Sequence, residues 1–580
     1  MGGRKLKKKK KIKSEKLEII ESISLIIFFF GGILLVFKRA YDYTIIKTLL
    51  GFLFTLLLSV KYIMEEKNLE FNYSTLFLFI LLSSYILFSS FFIATFKYGS
   101  ASLLENYLLY FLIFILASNL KIRKEWIYYW LISAFISSMI GFFQYLGPKH
   151  YAISTFGNPN FFAGHILMPM CIGFSLLFSE DFRDEQKFLS LIFLTFGTIT
   201  LLFTKSRAAI TGLFFGIATV FFILNKGKRI KWAGFLVLFL ILGILSPVIY
   251  KEFMTNIRYY IWAGTINLIK HRPFTGWGFG QFIFYYFYFR KREYFLQPES
   301  TPVTNHAHNE YFEILSELGV IGLFLFLFLI YKILNKYFRK DYKIENKIIA
   351  GFIGGIFAVM VDNIFSTNLR NPSTAMYFWF LLGVLNNPNN KKEFSLNFSK
   401  LLYSTILFTS FVMSVFYSNY RVLPEVYLKR GIWAKDSKNY KKAIENYEVV
   451  CALNPYNYTA WYKLAYVYGM IGNYKKAEKI YLYINRIFPH FAKTDTNLGT
   501  VYLKMGNYKE ALKYYLFAEW LNPYDKDVLC SIASIYLVYY NNVDEAVKYL
   551  KRVLTLDPEN RYANKVIKEL KKEGKLRGEK

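Results

Sequence analysis

The sequence predicts an all-α protein, in which a polytopic membrane helix bundle of about 12–13 spans is followed by an α-solenoid. Apolar runs of bilayer length recur through the first 420 residues, short Lys/Arg clusters separate these runs, and a 34-residue period begins near residue 425. The composition agrees, because a chain that is 54% hydrophobic and 20% aromatic is too apolar for one soluble domain.

A spanning helix needs roughly 20 mostly apolar residues. Thirteen runs in the sequence are candidates, and two of them are short, at 188–203 and 374–386. In chain order the candidate spans are 18–37, 45–64, 75–95, 102–119, 126–146, 161–179, 188–203, 208–225, 232–250, 310–334, 348–365, 374–386 and 402–419.

The basic residues give the expected orientation, because cytoplasmic loops carry an excess of Lys and Arg. With the basic N-terminus (1–17) in the cytoplasm and retained as part of an uncleaved first helix, alternation places four further basic segments on that side: 121–124, 226–231, 336–347 and 391–392. The large loop 251–309 and everything beyond the membrane domain (18–419) then lie outside. Much of the net charge of +32 lies in short Lys/Arg clusters between apolar runs, as is typical of membrane proteins. We therefore expect no nucleic-acid partner.

The C-terminal part repeats its prolines and alanines. Their positions, at steps of 34 or 35 residues, are Pro455, Pro489, Pro523 and Pro558, and Ala443, Ala477, Ala511 and Ala546. This pattern resembles the tetratricopeptide repeat and predicts about four helix pairs in an extracytoplasmic domain (420–570), before a charged tail (571–580). Such arrays form a groove for peptides or partner helices, so we interpret the domain as a docking site for a protein partner, or as a spacer or dimer contact.

Ionisable residues collect on the predicted outer side, where charge next to the bilayer is costly and marks functional candidates. They are Arg207, Arg258, Arg272, His306, His308 and Arg370. A guanidinium binds phosphate oxygens with a planar fork, and histidine exchanges a proton near neutral pH. An arginine pair with a histidine therefore suits transfer of a group from a polyprenyl diphosphate to a hydroxyl. The alternative for Arg207 is an interfacial arginine whose stem lies in the bilayer.

His308 and Asn309 precede a long predicted helix, whose N-terminus favours nearby anions. Glu310, Glu313 and Glu317 share one face of that helix. Gly319 and Gly322 lie one turn apart, and we expect them to permit close helix contact. For His165 and Asp362, inside predicted spans, the sequence leaves open whether they line a cavity or pair across helices.

His308-Asn309, nine residues and then Gly319-Val320-Ile321-Gly322 resemble the signature of the O-antigen ligase/polymerase family. Other stretches are similar to that family in the expected order and extend the resemblance over about 155–325. They are TFGNPN (155–160), TKSRA (204–208), RYYIW (258–262) and HRPFTGWG (271–278).

The resemblance implies a metal-independent, inverting glycosyltransferase without a cofactor. Its donor would be an undecaprenyl-diphosphate-linked glycan at the outer face of the cytoplasmic (inner) membrane. On this resemblance Arg207 and Arg258 contact the donor diphosphate, and His308 is the catalytic base or positions the acceptor hydroxyl. Possible supporting residues are His306, Asn309, Glu317 and Arg272. No Asp-x-Asp metal motif occurs outside the repeats, and Asp525-Lys526-Asp527 is interpreted as a solvated helix start.

The acceptor stays open at this point. A lipid A–core sugar would make the protein a ligase, a protein hydroxyl an O-oligosaccharyltransferase, and another lipid-linked repeat an O-antigen polymerase. A different class is a non-catalytic membrane scaffold or transporter whose repeats recruit partners. Convergence of Arg207, Arg258 and His308 on one outward cavity would favour the enzyme, because a scaffold has no reason to gather them.

Overall fold

A computed structural model describes residues 2–148, 150–225, 257–339, 346–387, 394–395 and 399–576. Over these residues the regular secondary structure is helical except for one antiparallel pair of two-residue strands, β1 (Glu70–Phe71) and β2 (Phe394–Ser395), so the all-α prediction is confirmed. The contacts divide the chain into two compact units. We call Met1–Met254, Ile269–Phe282 and His306–Glu425 the bundle unit, and Thr255–Leu268, Ile283–Asn305 and Val426–Lys580 the repeat unit.

The helices up to residue 417 form the bundle unit, except that α10 and α11 lie largely in the repeat unit. In chain order the described ones are α1 (Gly2–Ile26), α2 (Gly32–Leu34), α3 (Ile46–Glu65), α4 (Tyr73–Phe88), α5 (Lys97–Ala117), α6 (Lys124–Leu146), α7 (Pro159–Leu176), α8 (Asp184–Phe203), α9 (Arg207–Leu224), α10 (Ile257–His271), α11 (Phe282–Phe289), α12 (Glu310–Phe338), α13 (Ile348–Asp362), α14 (Pro372–Asn386) and α15 (Ser399–Tyr417). Short π-helical turns follow at Ile27–Gly31, Ser89–Ile93 and Ser418–Val422.

Ten helices in the described part of the chain are long and apolar enough to cross a membrane. They correspond to predicted runs, including the short one at 188–203, which becomes the 20-residue α8. The runs at 348–365 and 374–386 form helices of only 15 residues, α13 and α14. Both are largely buried, as expected for helices that are apolar all round and lie inside a bundle. The predicted span at 232–250 lies outside the described residues.

Glycines bring α9 and α13 into backbone contact. A Cβ on Gly212 would lie 2.5 Å from the carbonyl oxygen of Ala358, and a Cβ on Gly216 would lie 2.8 Å from that of Gly354. Because residue numbers rise along α9 as they fall along α13, the two helices are antiparallel. The N-terminus of α9, which begins at Arg207, is therefore beside the C-terminus of α13.

The long helix α12 is broken at Gly319, whose backbone has φ 66° and ψ −170°. The loop 273–280 inserts at the break and replaces the lost hydrogen bonds. The N–H groups of Trp277 and Gly278 donate to the carbonyls of Ser316 and Glu317, each at 2.9 Å, and the N–H of Val320 donates to the carbonyl of Pro273 at 2.9 Å. A helix can break at membrane depth only where protein re-satisfies its backbone in this way.

The expectation that Gly319 and Gly322 permit close contact between helices is wrong. A Cβ on Gly319 would collide with the carbonyl of Phe274, and a Cβ on Gly276 would collide with the backbone at Glu317. Gly319 and Gly276 both have positive φ, a conformation that residues with a Cβ rarely adopt. The motif therefore admits the backbone of a loop rather than a second helix.

The repeat unit contains four helix pairs and a final helix, as the 34-residue period predicts. The helices are α16 (Leu423–Asp436), α17 (Tyr440–Leu453), α18 (Tyr458–Met470), α19 (Tyr474–Ile487), α20 (Thr494–Lys504), α21 (Tyr508–Leu521), α22 (Lys526–Val538), α23 (Val543–Leu556) and α24 (Arg561–Lys572). The recurring alanines are fully buried at the helix contacts. Asp525 caps α22 by accepting hydrogen bonds from the N–H groups of Asp527 and Val528, as its interpretation as a helix start predicts.

Candidate functional site

The segment 306–309 leads into α12. Its half-buried His308 has φ 52°, a left-handed conformation that costs roughly 1–2 kcal/mol in a residue with a Cβ and that is concentrated at functional sites. Asn309 caps the helix, since its side-chain oxygen accepts a hydrogen bond from the N–H of Phe312 at 3.0 Å. His308 is thus held immediately before the N-terminus of a long helix.

Three glutamates of α12 surround one arginine next to this segment. Nε of Arg370 lies 2.9 Å from Oε1 of Glu310 and 3.8 Å from Oε1 of Glu313, and its Nη1 lies 2.7 Å from Oε2 of Glu317. No side chain in this group, which we call the carboxylate cluster, is more than 3% exposed. Arg370 lies on a 3₁₀ turn (Asn368–Arg370) between α13 and α14.

The carboxylate cluster has more negative than positive charge, because three carboxylates face one guanidinium. His306 supplies a second cation when it is protonated, since its Nδ1 lies 2.9 Å from Oε1 of Glu313. Burial lowers the pKa of His306, but attraction to the Glu313 carboxylate outweighs that effect, and the pKa is raised above its ordinary value. His306 therefore favours the protonated form, which reduces the excess of negative charge in the cluster.

Glu313 also holds the backbone of segment 306–309. Its Oε2 accepts a hydrogen bond from the N–H of Ala307 at 2.8 Å. The N–H of Glu310 donates to the carbonyls of Asn363 and Ser366, at 3.0 and 3.1 Å. The segment that carries His308 is therefore fixed between the first turn of α12 and the chain that follows α13.

Arg207 lies at the same end of the bundle unit as this segment. It is exposed at the first position of α9, five residues before Gly212, which contacts α13 near its C-terminus. At 1.5 Å per residue Arg207 is about 7.5 Å further along the helix axis, beyond the end of α13. Asn363, whose carbonyl binds the N–H of Glu310, follows that same helix end.

Three other predicted site residues lie in three different places. Glu317 belongs to the carboxylate cluster, and its Oε1 accepts a hydrogen bond from the N–H of Phe282 at 3.3 Å. Arg272 is exposed, and its guanidinium lies 4.4 Å from the ring centroid of Trp277, on the loop that enters the α12 break. Arg258 is half-buried in the first turn of α10 and belongs to the repeat unit.

His165 pairs across helices, whereas Asp362 bonds to side chains of the segment that follows α13. Nδ1 of His165 lies 2.8 Å from the carbonyl oxygen of Ser373, and its ring stacks on Phe156 with centroids 4.8 Å apart. Asp362 accepts hydrogen bonds from the Ser366 hydroxyl at 2.7 Å and from another side chain, Asn368 Nδ2, at 2.6 Å. These contacts give both residues a packing role at the junctions of α7, α13 and α14.

An apolar cavity of about 680 Å³ lies between α4, α5, α12, α14 and α15. Its lining is predominantly aliphatic and aromatic. Tyr107 lines it and meets Phe279 edge to face, with centroids 4.9 Å apart. The guanidinium of Arg370 lies 6.0 Å from the ring centroid of Phe279. The cavity thus extends toward the carboxylate cluster, and its lining suits a hydrocarbon chain.

Comparison with known proteins bears on this site directly. Residues 190–327 match the family model described as O-antigen ligase, and residues 439–479, 496–518 and 527–560 match tetratricopeptide repeat models. The chain carries an O-antigen ligase domain and tetratricopeptide repeats. The family resemblance predicted from the sequence is thereby confirmed. The O-antigen ligase match includes Arg207, Arg258 and His308 but ends before Arg370.

Two curated proteins with the name "Putative polysaccharide ligase" are similar to the chain. The protein of Rickettsia conorii (strain ATCC VR-613 / Malish 7) is 30% identical over 148 residues, which cover 23% of this chain and 35% of the relative. The protein of Rickettsia prowazekii (strain Madrid E) is 25% identical over 207 residues, which cover 33% of this chain and 49% of the relative. The chain therefore spans less than half the length of these relatives.

The chain is also similar to a solved structure, the crystal structure of MamA. The identity is 22%, and the match covers 28% of this chain and 93% of that one, with a TM-score of 0.23. That score is too low to carry an argument.

Proposed function

We propose that the protein is a glycosyltransferase that moves a glycan from an undecaprenyl-diphosphate-linked donor to an acceptor hydroxyl at the outer face of the cytoplasmic membrane. One observation carries the proposal. The O-antigen ligase match contains Arg207 and His308, and both lie at the same end of the bundle unit, one at the start of α9 and one immediately before α12. An arginine and a histidine at one end of the bundle unit support an enzyme, because the first can bind an anionic leaving group and the second can accept a proton.

In the proposed reaction His308 accepts the proton of the acceptor hydroxyl, and the hydroxyl oxygen attacks the anomeric carbon of the donor. The bond between that carbon and the phosphate oxygen breaks, undecaprenyl diphosphate leaves, and the configuration at the carbon inverts. Arg207 and Arg258 bind the diphosphate, whose negative charge grows as the bond breaks. His308 then returns its proton to solvent. The arginines supply the positive charge, so the proposal requires no metal ion.

The carboxylate cluster has a positioning role in this proposal. Glu313 binds both the ring of His306 and the backbone N–H of Ala307, so it fixes the segment from which His308 projects. A catalytic group that is held in place before substrate arrives avoids the cost of ordering it during the reaction. The left-handed backbone of His308 is maintained by these same bonds.

The apolar cavity is the proposed site for part of the donor's isoprenoid chain. It lies among helices of membrane-spanning length and extends toward the end of the bundle unit that carries the carboxylate cluster. In this placement the lipid lies in the cavity and the diphosphate reaches the arginines. The proposed orientation has the N-terminus in the cytoplasm and the repeats outside, and the distribution of basic residues supports it.

The acceptor has two leading candidates. The O-antigen ligase match favours a lipid A–core sugar. The repeats at 439–560 favour a protein, because arrays of this kind bind polypeptides, and a protein hydroxyl would make the enzyme an O-oligosaccharyltransferase. A growing lipid-linked glycan, the polymerase reaction, is the third acceptor for the assay.

The test is transfer by the purified full-length protein in detergent, with an undecaprenyl-diphosphate-linked glycan as donor and each of the three acceptors in turn. We expect His308→Ala to reduce transfer by at least 100-fold, since a general base contributes roughly that factor or more. His150→Ala, which removes an exposed histidine from another loop, is the matched control and should leave transfer unchanged. A chelator should have no effect.

Each outcome has a definite meaning. Full activity in His308→Ala would remove the assigned base, and loss of activity with chelator would refute a metal-independent reaction. If the wild-type protein transfers glycan to none of the acceptors, the proposed function fails and the scaffold or transporter alternative gains support.

A further inference from the structure

The repeat unit includes a stretch of chain from far outside the repeats. Residues 283–305, which contain most of α11, and residues 255–268, which contain most of α10, group with 426–580 by their contacts. The sequence predicts that the repeats form a groove for a separate partner. The structure shows that one surface of the repeats is covered by residues 283–305 of the same chain, which we call the loop.

Aromatic side chains make this contact. Phe284 packs on Phe488, with ring centroids 4.4 Å apart, and each is only 2% exposed. Tyr288 contacts His490 and Trp520, with centroids 6.1 Å apart in both cases. Burial of aromatic rings stabilises such a contact through both area and ring geometry.

The contact leaves little room for another ligand. A cavity between residues 283–305 and the repeats has a volume of about 60 Å³, well below the roughly 300–1,000 Å³ of ligand pockets. Charged side chains from both sides line it, among them Arg290 of the loop and Asp495 and Asp525 of the repeats. A peptide could not bind at this surface without displacing the loop.

The same loop, residues 283–305, also packs on α10. A Cβ on Gly264 would lie 3.0 Å from the carbonyl oxygen of Phe289, 3.0 Å from Cε2 of Tyr286 and 3.2 Å from Cα of Arg290. A Cβ there would require its neighbours to shift by a few tenths of an ångström, and a bulkier side chain would require a larger shift. Arg258 lies six residues earlier on the same helix, about 9 Å along its axis.

A continuous path of contacts therefore connects the repeats, through α11, to the helix that carries Arg258. We propose that the repeats bind this chain's own loop and thereby position Arg258 for the donor diphosphate. This inference rests on the proposed role of Arg258 in donor binding. Within it, Trp520, Tyr288 and Gly264 are positioning residues that do not touch substrate.

The test uses the full-length protein in detergent, with undecaprenyl diphosphate as the probe in isothermal titration calorimetry. Trp520→Ala removes the ring that contacts Tyr288, and Gly264→Val separates α10 from α11. We expect each to weaken binding about tenfold, the effect of misplacing one charged hydrogen-bonding group. Arg258→Ala should weaken binding equally. The double variant Arg258→Ala/Trp520→Ala should bind no more weakly than Arg258→Ala, because both changes disable the same interaction.

Two controls match these substitutions. Trp433→Ala removes a tryptophan that is 58% exposed on α16, and Gly469→Val places a side chain where a Cβ meets nothing within 4 Å. Both should bind the probe as the wild type does. Hydrogen exchange over 257–296 supplies a readout that does not depend on substrate, and exchange should become faster in Trp520→Ala and Gly264→Val but not in the controls.

The outcomes separate this inference from the proposed function. Unchanged exchange in both test variants would refute the contact between loop and repeats. Faster exchange with unchanged probe binding would refute the positioning of Arg258. A wild type that binds undecaprenyl diphosphate but transfers no glycan would refute the proposed function and leave the inference standing. An additive double variant would refute the shared path.

Discussion

Arg370 is the residue on which the buried charges of the bundle unit depend. It contacts all three glutamates of α12 from a turn some 60 residues away in the chain. A buried carboxylate is stable only when it is paired, so the guanidinium holds α12 and the turn before α14 together. The segment that carries His308 is attached to the same glutamates.

Replacement of this guanidinium should be strongly destabilising. We expect Arg370→Met to lower the free energy of unfolding by about 3–5 kcal/mol, because it leaves buried carboxylates without a counter-charge. Arg370→Lys should rescue only partly, since an ammonium cannot reproduce the two directions of contact. Thermal unfolding in detergent measures the change. The control is Arg370→Met with Glu310→Gln and Glu317→Gln, which removes the excess charge and should restore part of the loss; no restoration would contradict the electrostatic explanation.

His306 should make stability depend on pH. Its pKa in the folded protein is raised above the ordinary value of about 6.5 because Glu313 lies beside it, with Glu310 and Arg370 also facing it. A raised pKa means that protonation stabilises the folded state. The contribution is complete below the unfolded pKa and is lost as the pH rises through the folded pKa.

The comparison of wild type with His306→Asn tests this dependence. The difference between their unfolding midpoints should be largest near pH 5.5 and should shrink as the pH rises above the folded pKa. Parallel curves across that range would show that the imidazolium makes no contribution.

The sequence identifies most residues of the site around His308 but not how they are arranged. His308-Asn309 and the three glutamates on one helix face were recognisable from spacing, and the structure places the glutamates on one face as expected. The role of Arg370 was not recognisable, because a single arginine after a span has no local pattern that identifies its partners. Its signal was indirect: three buried carboxylates on one face require a cation.

At the scale of elements, the break in α12 determines where the loop 273–280 lies. The loop supplies backbone hydrogen bonds to the helix at Ser316, Glu317 and Val320. A glycine pair in an apolar run predicts close contact but does not say with what, so the sequence alone favoured a helix partner. The partner of the α12 glycine is the Gly276-Trp277-Gly278-Phe279-Gly280 run. Its glycines have positive φ and allow the loop 273–280 to approach the backbone of α12.

Two glycine substitutions separate backbone strain from steric collision. Gly472 has φ 80° and no neighbour within 4 Å of a Cβ, whereas Gly319 has φ 66° and a carbonyl in collision with it. We expect Gly472→Ala to cost about 1 kcal/mol of stability and Gly319→Ala to cost several times more and reduce glycan transfer. Thermal unfolding and the transfer assay measure these effects. Equal losses of stability in Gly472→Ala and Gly319→Ala would show that the loop 273–280 moves away from residue 319 at no cost in free energy.

The repeats were the most predictable elements. Their period fixed the helix pairs, and the Asn residues of the recurring turns proved to cap second helices; Asn473, for example, accepts a hydrogen bond from the N–H of Lys476. Local sequence determines such features, because a cap and a turn involve residues only a few positions apart.

At the scale of the whole molecule, the predicted topology has a direct test. A reporter enzyme fused after Lys580 should be active only outside the cytoplasm, because the basic segments 1–17, 121–124, 226–231, 336–347 and 391–392 lie on the opposite side under the proposed orientation. A fusion within the basic segment 226–231 should give the opposite result and serves as the control. A cytoplasmic signal from the C-terminal fusion would mean that the number of spans differs by one.

The partnership of the loop with the repeats could not have been predicted from the sequence. Phe284 and Phe488 are separated by about 200 residues and belong to regions with unrelated patterns. An apolar, aromatic stretch such as FIFYYFYF is equally compatible with a membrane surface. Only the structure shows which surface covers these rings.

The order of synthesis gives this pairing a biological consequence. The ribosome makes the aromatic face of α11 long before it makes Trp520, and at about 5–20 residues per second the wait lasts roughly 10–50 s. During that interval an emerging chain presents uncovered rings to chaperones and proteases. Only completion of the chain through Trp520 supplies the surface that covers these rings.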